Sequence, residues 1–544
     1  MKKIFLSETI ATIALFLTIT VNATAQEVVE LRQPEAAKAV IKFMFNNGSI
    51  SDPAGKEGLT QFTTSMIADG GTKTMTKSQI DDALYPWAAS ISASVDKEVS
   101  IFTFQCPSAY LDKFYPIMMD VMTAPAFSKE DYLRIQSNQQ NYVDEVIRSS
   151  SDEEYSKKAL EDLLFRNTPY QHMISGTSNG VKNIMPDDIL DHYKNYYSSK
   201  NVLIGLGGNY PADLAARLKT DLQKLGVSES SSKLRRAIPR PPKGLEIEIV
   251  SKENALGSAI CMGFPLDITR SSDSFAALMI ANSWLGEHRK SYSHLYKKIR
   301  EERSMNYGDY SYIEWYDNGG SNMLPRPGVP RSSNYFSIWI RPVQTAAGLK
   351  KQYPELSDIN IGHAHFAIRM ALHEMQQLID NGMTDEEFTS TRTFLRSYIK
   401  LYIQSTEKQL GYLMDSRFYG RKNYISEMGD LLESATLDEV NETMKKFWQT
   451  KNLYVTIVTD VTEAEPLKKS LESNAPSPMS YSNVLKGSMT PEILKEDKEV
   501  ENYPLNVRSV TIVKSADTFR NTNIDPNGKP VQMENVVPEM KMVK

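Results

Sequence analysis

The sequence has few residues that bind metals or form cross-links. Only two cysteines and seven histidines occur among 544 residues, which excludes a disulfide scaffold and a thiolate-rich metal site and limits zinc chemistry. A strong charge of one sign is also missing, because 62 Lys and Arg face 67 Asp and Glu, for a net charge of −5. With no run of Lys or Arg, this balance argues against nucleic acid as a partner. The length predicts about three or four domains.

Long apolar runs are absent after the N-terminal segment, so no membrane span is expected in the mature chain. The N-terminal segment has two lysines near its start, an apolar stretch from 10 to 21, and then Ala23-Thr24-Ala25. This pattern predicts a signal peptide over 1–25 that is cleaved before Gln26, with an uncleaved anchor as the alternative. The export signal predicts a periplasmic or secreted protein.

Two pairs of segments resemble each other at nearly the same offset. Residues 185–201 and 436–452 align without gaps at an offset of 251 and share one Asp, two Lys and one Asn. Residues 127–132 and 383–388 align at an offset of 256. Each segment is typical of a capped helix with acids in its first turn. The shared order indicates an internal duplication; two unrelated sets of capped helices are the alternative.

The duplication divides the chain into two related halves, 26–227 and 245–465. Between them, 228–244 is Ser-rich, then basic, then Pro-rich, as expected of an exposed linker. Strand pairs followed by runs of helices predict an α+β fold, in which each half is a mostly antiparallel sheet covered by helices on one face. A C-terminal extension, 466–544, contains one alternating stretch that predicts a strand at 507–513.

The elements of the first half can be placed individually. The patterns predict strands at 39–45, 88–95, 98–106 and 201–207, and helices at 56–69, 77–84, 108–122, 128–148, 153–164 and 186–197. In the second half, the Gly/Pro-rich insert 317–333 predicts a long loop. The last ~20 residues are expected to be frayed. Cys106 and Cys261 fall in predicted strands of different halves, so two buried thiols are expected and not a bridge.

Six short segments, in this order and spacing, resemble one family. They are Asn47-Gly48-Ser49, Gly55-Lys56-Glu57-Gly58-Leu59, Gly71-Thr72, Ala124-Pro125-Ala126-Phe127, Phe165-Arg166-Asn167-Thr168-Pro169-Tyr170 and Ile299–Tyr307. The chain resembles the insulinase/pitrilysin metallopeptidases, also called inverzincins, over about residues 30–465. The resemblance implies two related halves with the insulinase-like fold.

Active members of that family bind zinc through H-x-x-E-H on the first helix, with a further Glu on a later helix. The matching positions here are Gln61, Thr64 and Ser65, whereas the later position matches Glu145. Gln and Ser are poor zinc ligands, and Thr cannot act as a general base near neutral pH. One carboxylate cannot hold zinc where three or four ligands are needed. The resemblance therefore predicts a degenerate motif and no metal bound by this chain.

The resemblance assigns a second element to the C-terminal half. In the family, an Arg and a Tyr seven residues apart bind the peptide or stabilise the oxyanion, and Arg300 and Tyr307 have this spacing. The alternative is that Arg300 caps a helix and Tyr307 packs at the start of a strand. In two-subunit bacterial members, one subunit carries zinc and the other supplies the Arg/Tyr pair. This chain resembles the second kind, which implies a zinc-bearing partner and unfolded peptide substrates.

Three functions remain open from the sequence. The first is a peptidase-like subunit that is not catalytic alone, and the others are an active zinc metalloendopeptidase with irregular ligands and a purely structural or assembly protein. His363, His365 and His373 form the densest histidine group, but their spacing on a helix does not bring them to one ion. If His363 and His365 precede the helix, a surface metal site is an alternative. No nucleophile elbow, P-loop or dinucleotide-binding fingerprint is present.

Overall fold

A computed structural model describes residues 26–228, 237–288, 290–314 and 326–522. The predicted signal peptide over 1–25 and the end of the extension, where frayed residues are expected, lie outside these ranges, as do parts of the linker and of the insert 317–333. Within the described ranges, no helix is long and apolar enough to cross a membrane. Cys106 and Cys261 are both buried and unbridged, as predicted.

The first half contains one five-stranded mixed sheet. Its strands are β1 (Val28–Arg32), β2 (Lys38–Phe45), β3 (Ser90–Val95), β4 (Ser100–Pro107) and β5 (Val202–Gly208), in the order β1-β5-β2-β4-β3. β1 pairs with β5 in parallel, and the other neighbouring strands are antiparallel. The sequence predicted β2 to β5 within a few residues. It missed β1, an edge strand in which only Val29 is buried, so the apolar alternation is weak.

The second half contains a six-stranded mixed sheet that includes a strand from the C-terminal extension. Its strands are β6 (Leu245–Lys252), β7 (Gly257–Leu266), β8 (Asp309–Tyr312), β9 (Asn334–Gln344), β10 (Leu453–Asp460) and β11 (Val507–Lys514), in the order β11-β6-β10-β7-β9-β8. The two pairs made by β6 are parallel, and the rest are antiparallel. The strand predicted at 507–513 therefore extends the sheet of the second half.

Within the described residues, the first half contains nine helices. They are α1 (Leu59–Ala68), α2 (Lys77–Leu84), α3 (Leu111–Thr123), α4 (Lys129–Asn141), α5 (Ile147–Ser149), α6 (Asp152–Leu164), α7 (Ser178–Asn183), α8 (Pro186–Tyr196) and α9 (Leu214–Asp221). A π-helix, Tyr142–Val146, joins α4 to α5, so the helix predicted at 128–148 is interrupted. A π turn contains one extra residue and changes the direction of the side chains that follow.

The described residues of the second half and of the extension contain a second set of helices. They are α10 (Phe275–Gly286), α11 (Ala346–Gln352), α12 (Ala364–Asn381), α13 (Asp385–Tyr402), α14 (Thr406–Phe418), α15 (Tyr424–Ser434), α16 (Leu437–Phe447), α17 (Val461–Glu472), α18 (Asn483–Ser488) and α19 (Pro491–Val500). The repeated segments match in structure: α4 and α13 begin at the Ser128 and Thr384 caps. α8 and α16 lead into β5 and β10, one in each sheet.

Each sheet has one face covered by helices of its own half and the other covered by a helix of the opposite half. α6, from the first half, packs Leu160 and Leu164 on the second sheet, on the face opposite that sheet's own helices and beside Trp339. α14, from the second half, packs Leu410 and Met414 on the corresponding face of the first sheet. The prediction of helices on one face of each sheet was therefore incomplete, because periodicity within one half does not show that a distant helix covers the other face.

Glycines of β5 make the close approach of α14 possible. A Cβ atom on Gly205 would lie 2.3 Å from Met414 Sδ, and one on Gly207 would lie 2.9 Å from Thr406 Cγ2. A side chain at either position would push the helix away from the sheet, because van der Waals contact between such atoms needs about 3.5–4.0 Å. The run LIGLGG of β5 thus shapes the interface between the halves.

Two buried arginines join α6 and α14 to the rest of the interface. Arg331 donates to both oxygens of Asp96 at 2.8 Å and to Glu161 Oε1 of α6 at 2.7 Å. Arg270 donates to Glu314 Oε1 at 2.8 Å and to Asp415 Oδ2 of α14 at 3.2 Å. Glu161 and Asp415 each stand three residues before the end of their helix, so the two crossing helices carry a carboxylate at the same position.

The Arg331 cluster predicts a stability that depends on pH. Burial alone would raise the pKa of Glu161, but Lys97, Arg331 and Lys158 outweigh burial and lower it from 4.5 to about 2. The contribution of ionised Glu161 to the free energy of unfolding is therefore full above its unfolded pKa and is lost as the pH falls towards its folded pKa.

We expect the wild type to lose more of its free energy of unfolding than Glu161→Gln between about pH 5 and pH 2, measured by urea unfolding at each pH. The exposed Glu433, 61% accessible, provides a control, since Glu433→Gln should retain the wild-type pH dependence. An identical pH dependence for Glu161→Gln and wild type would contradict the assignment.

Candidate functional site

Helix α1, which carries the degenerate motif, is anchored at its N-terminus by Asp52. The Asp52 carboxylate accepts hydrogen bonds from the backbone N–H of Gly58 and of Thr60, both at 2.7 Å, and from Thr60 Oγ1. Gly58 precedes the helix with φ of 102°, which a residue with a Cβ rarely adopts. The helix therefore begins at Leu59, three residues later than predicted from the pattern over 56–69.

The three motif side chains are bonded within the protein. Gln61 Nε2 donates to Ser65 Oγ at 3.1 Å, across one helical turn. Thr64 is buried, and its hydroxyl donates to Thr60 O at 2.7 Å and lies 2.6 Å from Tyr197 OH. An amide, a hydroxyl already bonded to it and a buried threonine do not fit a zinc ion, which needs imidazole, thiolate or carboxylate ligands. Within the described ranges, no group of three His, Cys, Asp or Glu residues is placed to hold a metal ion.

A cleft of about 860 Å³ opens beside α1; we refer to it as the motif cleft. Its lining combines amide and hydroxyl groups with charged side chains; the lining residues are Gln61, Ser65, Asp69, Lys77, Ser78, Asp81, Arg134, Ile135, Asn138, Gln139, Tyr142 and Ser175. Glu145, which the sequence matched to the third ligand, is exposed and is not part of this lining. The first residue of the π-helix, Tyr142, lies there instead.

The structure brings Arg300 and Tyr307 together. Arg300 lies in a second π-helix, Tyr296–Glu301, and its guanidinium carbon is 5.7 Å from the centre of the Tyr307 ring and 5.5 Å from that of Tyr296. The Tyr307 side chain is 76% exposed. A cation within reach of two aromatic rings, with an accessible phenol beside it, can present donors to a carbonyl or carboxylate. Tyr307 is exposed and precedes β8, so it does not pack at the start of that strand.

A short loop holds Tyr307 in this position, and sequence reasoning missed the residue that shapes it. The Asn306 amide donates to Asp309 Oδ1 at 2.7 Å and to Arg341 O at 3.1 Å, and its oxygen accepts from Gly308 N at 3.1 Å. Burial raises the pKa of Asp309 well above its usual value. Asn-Tyr-Gly is typical of a turn, but the sequence does not show that Asn306 also binds Arg341 O, which lies on the distant strand β9.

The histidines of α12 do not form a metal site. His363 is the N-cap residue of α12 and binds Ser480 O at 3.0 Å, and His365 lies 3.2 Å from Ser470 Oγ. Burial lowers the pKa of His363 to about 4 and that of His365 to about 3. His373 and His294 instead bind the two oxygens of Glu374, at 2.7 and 2.6 Å. These histidines are structural partners of the extension and of α12, and His172, buried against Asp52, is likewise structural.

Two family models match this chain. Residues 27–178 match the model described as insulinase (peptidase family M16), and residues 183–395 match the peptidase M16 inactive domain. The chain belongs to the M16 peptidase family. The degenerate motif of this M16 chain lies inside the first match, and Arg300 and Tyr307 lie inside the second. The resemblance inferred from six short segments is confirmed.

Similar M16 proteins carry contrasting descriptions. The chain is 19% identical over 413 residues to the "uncharacterized zinc protease YmxG" of Bacillus subtilis, covering 75% of this chain and 90% of that protein. It is also 19% identical over 418 residues to the "non-peptidase homolog YmxG" of Helicobacter pylori, covering 76% and 87%. At this identity, both descriptions apply to those proteins only.

Solved structures share the fold of this M16 chain. A peptidase M16 inactive domain from Pseudomonas fluorescens matches with a TM-score of 0.67 at 18% identity, covering 80% of this chain and 96% of that one. A chain of Complex III2 from Candida albicans matches with a TM-score of 0.62 at 12% identity, covering 79% and 93%. These matches confirm the α+β architecture of two related halves, and at such identities they establish the fold alone.

Proposed function

We propose that this chain is an M16 subunit that is not catalytic alone and works with a zinc-bearing M16 partner. It would bind unfolded peptides together with that partner and contribute Arg300 and Tyr307 to the shared site. We further propose that it acts in the periplasm or outside the cell, which the signal-like composition of residues 1–25 supports. Zinc would belong to the partner.

One contrast carries this proposal. The motif residues Gln61, Thr64 and Ser65 are bonded within the chain and offer no set of metal ligands. In the second half, Arg300 and Tyr307 lie side by side, with the phenol exposed to solvent. A guanidinium and a phenol aimed at a peptide carbonyl stabilise negative charge that develops on its oxygen. The second half thus offers groups suited to bind and polarise a peptide, whereas the described motif positions offer no group that activates water.

The test is reconstitution with the zinc-bearing M16 homologue of the same organism, with hydrolysis of an unstructured fluorogenic peptide as the readout. We expect Arg300→Ala to lower kcat of the pair by about 10²–10³, the usual cost of losing one donor to an oxyanion. Tyr307→Phe should lower kcat less, because the ring beside Arg300 remains. Zinc content of the partner should not change.

Arg32 supplies a matched control, since its guanidinium carbon also lies over a tyrosine ring, 4.4 Å from the centre of Tyr210. Arg32→Ala should leave kcat unchanged. Full activity of the Arg300→Ala pair would contradict the donated role. A wild-type pair that forms a stable complex but hydrolyses no peptide would favour an assembly protein. Stoichiometric zinc and chelator-sensitive hydrolysis by the isolated chain would instead identify an active metallopeptidase.

A further inference from the structure

The C-terminal extension returns from the second half to the first. After β11, which forms the edge of the second sheet beside β6, a 3₁₀ turn at Ser515–Asp517 leads the chain back to the first half. Residues 515–522, called the strap below, then run along first-half residues 178–179 towards Glu57. The family matches end at residue 395, so they do not include the strap.

Phe519 inserts where the two halves meet. It is 8% exposed and belongs to an apolar cluster with members from both halves, including Val143, Tyr155, Val250 and Val458. Its ring centre lies 5.6 Å from that of Tyr155. Its φ of 57° is unusual for a residue with a Cβ. A buried aromatic residue with this backbone conformation indicates that the surrounding contacts hold the segment in place.

Polar contacts attach the strap to the first half along its length. Tyr155 OH lies 2.6 Å from Thr518 Oγ1 and donates to Ser515 O at 3.1 Å. The backbone N–H groups of residues 178 and 179 donate to the carbonyls of residues 519 and 520, at 2.9 and 3.1 Å. At its end, the Thr522 hydroxyl donates to Glu57 Oε1.

The strap also contacts residues next to two elements that line the motif cleft. Arg148, just after the π-helix that begins with Tyr142, donates to Ser515 O at 3.0 Å and to Asp144 O of the π-helix at 2.8 Å. Glu57, the partner of Thr522, immediately precedes Gly58, the N-cap residue of α1. Gln139 on α4 lines the cleft and bridges the same region, because its amide donates to Gly58 O and Ser175 O, both at 2.9 Å. The strap therefore contacts residues adjacent to α1 and to the π-helix, two of the elements that line the cleft.

We propose that the strap is an intramolecular clamp that holds the two halves in register and fixes two segments beside the motif cleft, the one that leads into α1 and the one that follows the π-helix. The clamp joins the edge of the second sheet to Glu57, directly before the N-cap of α1, and to Arg148, just after the π-helix, so its loss frees both segments at once. This inference concerns the chain by itself and does not depend on a zinc-bearing partner.

Two truncated chains test the clamp by hydrogen exchange. A chain that ends after Lys514 keeps β11 and loses the strap, whereas a chain that ends after Thr522 keeps both. We expect amide exchange at 57–62 and 142–149 to accelerate at least roughly tenfold in the first chain only, because local opening frees those segments. Exchange in the central strand β4 is the internal reference and should be equal in both chains.

Point variants make the test independent of whether the shorter chain folds. Phe519→Ala removes the buried ring, and Arg520→Ala changes its exposed neighbour. Phe519→Ala should reproduce the faster exchange at 57–62 and 142–149, and Arg520→Ala should not. Equal exchange in all variants would overturn the proposal, as would acceleration spread uniformly through β4, which would show a loss of global stability without a local clamp.

Discussion

Replacement of Arg331 by alanine should lower the free energy of unfolding by about 3–5 kcal/mol, the usual cost of removing one partner of a buried ion pair. The guanidinium is 4% exposed and is the common partner of Asp96 and Glu161, which are 0% and 5% exposed. Without the Arg331 guanidinium, the Asp96 and Glu161 carboxylates remain buried with less positive charge to balance them. Urea unfolding followed by circular dichroism measures the change.

A surface arginine gives the reference for this effect. Arg396 pairs with Glu433 on the surface, where the two side chains are 41% and 61% exposed. Arg396→Ala should change the free energy of unfolding by less than about 1 kcal/mol, because water screens such pairs. Similar losses in the Arg331 and Arg396 variants would show that Arg331 does not hold the two halves together.

Replacement of Met414 by alanine should cost about 2–5 kcal/mol, the range for truncation of a fully buried large side chain. Met414 is 0% exposed and packs from α14 against the first sheet. The truncation leaves a cavity between the two halves. Neither half can close this cavity by repacking only its own helices. Leu401→Ala, at a side chain that is 61% exposed, should change stability by only about 0.5 kcal/mol.

The glycine opposite Met414 permits a double-mutant test of the same contact. Gly205→Val alone should cost about 1–3 kcal/mol, because its Cβ would lie 2.3 Å from Met414 Sδ. In the double variant with Met414→Ala, the valine occupies space that the methionine has left, so the two effects should fall short of additivity by about 1 kcal/mol or more. Strict additivity would mean that the two positions do not share this space.

The candidate site was partly predictable from the sequence. The family resemblance singled out Arg300 and Tyr307 by their spacing, and one π-helix and one short loop bring these residues, seven apart, together. That Gln61, Thr64 and Ser65 are poor zinc ligands or bases follows from residue type alone. Glu145 was matched through the same resemblance, and the sequence does not show that the π turn at Tyr142–Val146 places Tyr142 in the cleft lining and leaves Glu145 exposed outside it.

The sequence by itself determined the two related halves, the α+β class, most strands and helices, and the degenerate motif. These features depend on local periodicity, caps and residue chemistry, which are readable within a few turns of chain. Only the tertiary structure decided that α6 and α14 cross to the opposite sheet, that Arg331 joins Asp96 to Glu161, and that the strap returns to Glu57. The reason is that such contacts join residues hundreds of positions apart, and their energy arises from burial and complementarity that no local pattern encodes.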